Sequence, residues 1–89
     1  MTSTVARIEA LLREALSPES LTIHDDSHLH AGHAGARDGG GHFRVDIVSS
    51  AFAGKNTLAR HRMIYTAVGE LMPAAIHALA IKASTPDEL

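Results

Sequence analysis

The 89-residue chain predicts an α+β fold of order α-β-β-α-(α)-β, with three strands in one mixed sheet and the helices packed on one of its faces. Three observations carry this. Apolar residues recur at helical spacing near the N-terminus and again from residue 57. A period-two alternation runs from His42 to Ser49, and an apolar, strand-like run from His77 to Ala83 follows a proline. Two strands joined as a hairpin and then a helical crossover into a parallel third strand give a mixed sheet.

The first helix rests on Val5, Ile8, Leu12 and Leu16, with Leu11 and Ala15 beside the stripe. That spacing puts them on one face, and Glu9 to Arg13 forms an i,i+4 pair on the other. Ser17-Pro18 ends the helix, because proline disfavours the helical region for the residue before it. Leu21 to Asp25 alternates and reads as a short strand. From Ser27 to Gly41 the chain is mostly Gly, Ala and His, a loop long enough to be functional or mobile.

In the next strand Phe43, Val45 and Ile47 share a face opposite His42, Arg44 and Asp46, so one face is buried and one wet. Ser49 to Lys55 is a turn containing Gly54, and Asn56 or Thr57 is placed to cap a helix over 57–72. Leu58, Ile64, Tyr65, Val68, Leu71 and Met72 supply its apolar positions, Gly69 weakens it, and Arg60 and Arg62 are displayed in its first half. Pro73 breaks it, residues 74–76 give a further helical turn, and 77–83, apolar on both faces, suits a well-covered strand.

Composition bounds the function. A chain of this length makes one domain, 1–89, with 27–41 as a loop inside it. A formal charge of −2 argues against a strongly basic nucleic-acid binder. Zero cysteines exclude a disulfide framework, a thiol nucleophile and any self-contained all-cysteine iron–sulfur site. Metal chemistry is left to carboxylates and seven histidines. No apolar run approaches the ~18 residues of a membrane span, and no secretory signal is visible, so the expected compartment is the cytoplasm.

Among the chemical constellations, His24, His28, His30 and His33 crowd around Asp25-Asp26-Ser27. Neutral imidazole is a common metal ligand, and a glycine-rich loop can fold onto an ion; equally, these are solvated loop residues. His77 stands at the mouth of the last strand, as a ligand or as a hydrogen-bonded core-edge residue. Arg60-His61-Arg62, with Lys55, offers contacts to phosphate or a solvated helix face. Gly32-His33-Ala34-Gly35 matches the G-x-x-G of KH domains but lies between strands rather than helices. Residues 49–56 are no P-loop, since Ser49 stands where its first glycine should be. No nucleophile elbow is present, so neither an enzyme nor a small-molecule substrate is expected.

Several blocks then occur in order: Ala15-Leu16-Ser17-Pro18, Asp25-Asp26-Ser27 with His30 three positions on, His42-Phe43-Arg44-Val45, and Val48-Ser49-Ser50 with Phe52 and Gly54. Arg60-His61-Arg62-Met63-Ile64-Tyr65 and His77-Ala78-Leu79-Ala80-Ile81 with Thr85-Pro86 follow. From about Val5 to Glu88 the chain resembles the BolA family, the Arg-His-Arg and His-Ala-Leu-Ala-Ile blocks being the most specific.

The resemblance implies a class II KH-like fold and a heterodimer with a monothiol glutaredoxin, sharing a [2Fe-2S] cluster that the chain does not hold alone. The glutaredoxin supplies one cysteine and its bound glutathione a second thiolate, while the BolA-like chain supplies histidine. The family's C-terminal-region ligand falls on His77 and its loop ligand on His30, flanked by His33 and His28 as alternative loop ligands. Imidazole in place of thiolate removes negative charge, raises the reduction potential and makes ligation sensitive to protonation. The role implied is iron–sulfur trafficking or assembly, or iron regulation. The runner-up is a DNA-binding transcriptional regulator using Arg60, Arg62 and Lys55, and a third reading is an adaptor with no metal.

Overall fold

The computed structural model describes residues 3–26, 41–72 and 74–89. Helix α1 spans Thr4–Leu16; strands β1 (Ser20–Asp25) and β2 (Gly41–Val48) follow, then helix α2 (Thr57–Ala67) and strand β3 (Ile76–Ser84). The sheet order is β1-β2-β3, with β1 antiparallel and β3 parallel to the central β2, as expected. Most of the loop expected over 27–41 lies outside the described residues, and His28, His30, His33 and the 32–35 G-x-x-G lie there with it.

α1 begins where the Ser3 hydroxyl accepts the Ala6 N–H and ends at Ser17, which takes a left-handed conformation (φ 44°, ψ 56°) and donates its N–H to Arg13 O. A non-glycine residue there costs free energy, and the Pro18 that follows bars the helical alternative. Ile8, Leu12 and Leu16 are buried, and Glu9 meets Arg13 at 2.9 Å on the outer face. They pack with Phe43, Val45 and Ile47 of β2 and with Phe52, Ile64, Val68, Leu71 and Ile76 in one core. Both helices therefore cover the same sheet face.

Three expectations change. The α-helix stops at Ala67: Val68 leaves helical geometry, and Gly69–Leu71 winds into a tighter single turn, Leu71 N–H bonding Val68 O and Met72 N–H bonding Gly69 O. Gly69 withdraws helix propensity there, and Met72, held extended by the proline after it, cannot continue the winding. Residues 74–76 do not continue as a helix: Ala74 and Ala75 lie in a hydrogen-bonded turn, with Ala75 N–H bonding Leu71 O at 2.9 Å, and Ile76 already pairs with Gly41. Strand β3 is not covered on both faces. It is an edge strand whose outer face exposes His77, Ala80 and Lys82, the apolar run being apolar there only because the residues are alanines.

Arg60 is also not displayed. Its guanidinium reaches back to Lys55 O (2.8 Å) and Ala83 O (3.1 Å), grips Glu88 at 2.6 and 2.8 Å, and lies 5.9 Å from the centre of the Phe52 ring. Glu88 completes a small C-terminal clamp by accepting the Thr85 N–H at 2.9 Å. The Arg60 hydrogen bonds, with this backbone bond, hold the Glu88 carboxyl down at about 2.

Candidate functional site

The histidine expected to matter most, His77, is the second residue of β3, and the local pairing explains its position. Gly41 pairs with Ile76, but the next residue of β2, His42, pairs with Ala78. The edge strand thus spends two residues against one, and His77 is the extra residue of a bulge. Bulges re-aim a side chain that regular alternation would send elsewhere. Ile76 before it is fully buried, whereas His77 is exposed.

The bulge sets His77 beside His42. Their ring centres are 5.3 Å apart with planes tilted by 46°. The sequence reading places His42 on a wet strand face and within one of the family blocks, but does not pair it with His77. The signal that could have found it is the parallel register, since the amino ends of two parallel neighbours stand side by side; nothing in the local sequence states that register.

The surroundings are open and small. On the uncovered face, His24, Arg44 and Ala80 form one row across the three strands, and Thr22, Asp46 and Lys82 the next. Asp26 takes its backbone position from an N–H to His42 O bond of 2.8 Å, and its carboxylate lies 3.5 Å from Arg44 Nε. Asp26, His42, Ala78 and Ala80 line a cavity of about 250 Å³ in this corner. Alanines leave the room there that longer side chains would fill.

Of the residues expected to ligate, the structure places His77 at this corner. His30, with the alternatives His33 and His28, lies outside the described residues. Among the described residues, no group of three His, Cys, Asp or Glu gathers in a way that could hold a metal ion, so the imidazole pair is the donor set in view. Two imidazoles on one open edge suit half of a coordination sphere. For the nucleic-acid alternative, the clamp occupies Arg60, while Arg62 and Lys55 are exposed. Arg62 instead borders a second cavity, of about 380 Å³, between α1 and α2 with Ala15, Leu16, Met63, Thr66 and Ala67. Among the described residues, no helix is long and apolar enough to cross a membrane.

Comparison with known proteins converges on one family. The BolA-like protein family model matches residues 12–88, which takes in β1, β2, β3, α2 and the imidazole corner. BolA-like protein 1 of Mus musculus is 47% identical over 81 residues, covering 91% of this chain and 57% of the relative. SufE-like protein 1, chloroplastic/mitochondrial, of Arabidopsis thaliana is 43% identical over 88 residues, covering 93% of this chain and 24% of that protein. The chain thus spans somewhat over half of the first relative and about a quarter of the second. The solved structure of BolA1 from Arabidopsis thaliana superposes with a TM-score of 0.86 at 38% identity, covering 100% of this chain and 98% of that one. With its element order, its sheet and most of its length shared, the chain belongs to the BolA-like protein family.

Proposed function

We propose that this chain is the histidine-bearing half of a [2Fe-2S] site shared with a monothiol glutaredoxin, acting in iron–sulfur trafficking or assembly or in iron regulation. The observation that carries the reading is the re-aimed His77, exposed on an open sheet corner with a second imidazole 5.3 Å away. A similar module within a protein named SufE-like supports an iron–sulfur context.

In this reading the chain binds through nitrogen and the partner through sulfur, from a glutaredoxin cysteine and from glutathione. His77 contributes one nitrogen. A loop histidine, His30 with His33 or His28 as alternatives, is the second donor that the family resemblance implies. The bound cluster supplies one-electron chemistry and transferable iron and sulfide. The protein's part is to aim each imidazole and to leave the corner wide enough for the partner's thiolates.

The test is to add cluster-loaded monothiol glutaredoxin to the purified chain. Altered visible absorption and circular dichroism, together with a heterodimer on gel filtration, are expected, and His77→Ala abolishes the change. An unchanged spectrum with no heterodimer overturns the reading.

A further inference from the structure

We infer that the outer edge of β3 is complementary to the same edge of a second copy of this chain, and that Tyr65 and Arg60 of α2 keep it closed.

The edge itself comes first. Among the described residues the sheet order is β1-β2-β3, so β3 has a strand on one side only. Ser84 O accepts the Ser49 N–H at 2.9 Å, which turns the Ser84 backbone toward β2. Backbone groups alternate in direction along a strand, so Leu79, Ile81 and Ala83 turn their N–H and C=O groups away from β2. Such an edge is a template for another strand. Its own sequence does little to prevent pairing: from Ile76 to Ser84, Lys82 is the one Lys, Arg, Asp or Glu, and proline is absent.

Two side chains of α2 occupy this edge. The Tyr65 hydroxyl donates to Leu79 O at 3.3 Å, and Arg60 Nη1 donates to Ala83 O at 3.1 Å. These carbonyls stand two residues to either side of Ile81. Antiparallel pairing of β3 with a second β3, centred on Ile81, would set Leu79 of each copy opposite Ala83 of the other. The two capped carbonyls are therefore the acceptors that this symmetric pair requires, and both are already engaged. The same register sets Lys82 opposite Ala80 rather than another lysine, so charge repulsion across the pair does not forbid it. The block falls to the two side chains.

They are mounted differently. Arg60 is fixed over the edge by Glu88 at 2.6 and 2.8 Å and by Lys55 O at 2.8 Å. Tyr65 is 40% exposed and bonds at the longer distance, which makes it the looser of the two. The proposed metal site uses neither residue.

The experiment compares wild type, Tyr65→Ala, Arg60→Met and the double variant by sedimentation velocity over a range of concentrations. Thermal melts confirm which chains are folded. Amide hydrogen exchange at Leu79, Ile81 and Ala83, followed by nuclear magnetic resonance, reports whether the outer edge is paired. The wild-type chain is expected to exchange rapidly at all three. The double variant is expected to dimerise, with exchange at all three slowed by about tenfold or more. Tyr65→Ala, a surface substitution that leaves the Arg60–Glu88 clamp in place, should dimerise at the higher concentrations with the same amides protected. A folded double variant that stays monomeric, or a dimer whose outer amides still exchange at the wild-type rate, overturns the inference. Should the double variant not fold, a monomeric Tyr65→Ala overturns it instead. Protection of these amides in the wild-type chain would likewise show that the edge is not closed.

Discussion

The two ends of the β2–β3 pair are built from different chemistry. At the carboxyl end, polar groups are buried and tied: Ser49 donates its hydroxyl to Leu16 O at 2.6 Å, accepts the Ala51 N–H, and sends its own N–H to Ser84 O. Glu19 accepts from both the N–H and the hydroxyl of Ser50, and the Arg60–Glu88 clamp closes the same end. At the amino end, the His42 and His77 rings lie 5.3 Å apart beside a register shift, and His42, Ala78 and Ala80 border an open cavity. One end holds the chain together, and the other presents the imidazole pair. In open α/β folds, ligands usually collect at the carboxyl ends of parallel strands. Here the hydrogen-bonded knot occupies that end, and the site takes the other.

Substitutions at the tied end should cost stability, and those at the open end should cost binding. The largest loss is expected for Phe52→Ala, which empties the fully buried ring position beneath Arg60 and should cost about 3–5 kcal/mol by chemical denaturation. Ser49→Ala comes next at about 1–3 kcal/mol, because it strands the carbonyl of Leu16 away from water. A loss below about 0.5 kcal/mol would show that the buried hydroxyl contributes little and weaken the contrast between the ends.

The clamp adds a pH dependence at the tied end. The folded-state Glu88 carboxyl sits at about 2, against about 4.3 for an unpaired glutamate. Its contribution is thus present above the unfolded value and is lost as pH falls from about 4.3 through about 2. Melting temperatures measured across that window should fall less steeply for Glu88→Gln than for wild type. Parallel curves for the two would remove the clamp from the acid limb. Smallest of all is the exposed Glu9–Arg13 pair, where Glu9→Gln should cost about 0.3–0.5 kcal/mol and lose that effect in high salt.

The legibility of the molecule in its sequence divides along the same line. The core could be read because burial writes a period: Ile8, Leu12 and Leu16 at helical spacing, Phe43, Val45 and Ile47 at alternate positions. The helix ends could be read too, the stop of α1 at Pro18 and the start of α2 at Asn56, whose side chain accepts the Ala59 N–H at 2.8 Å. Misreadings arose where composition imitated burial. The alanines of β3 look apolar, yet Ala80 is exposed, and Leu58 in α2 is 58% exposed. Arg60 reads as a surface cation until Glu88, 28 positions on, is seen to hold it. His77 was visible as a residue of interest, but its closeness to His42 was not, since only strand register and a bulge bring them together.

The most direct test of the division of labour sets one variant from each end side by side. Ser49→Ala and His77→Ala would each be melted and then titrated with cluster-loaded monothiol glutaredoxin while visible circular dichroism is followed. Ser49→Ala should melt earlier yet keep the full spectral change below its melting temperature. His77→Ala should melt within about 0.5 kcal/mol of wild type, as exposed substitutions do, and show no spectral change. A His77→Ala chain that is destabilised as much as Ser49→Ala, and still produces the wild-type spectrum, would contradict the assignment of binding to the open end.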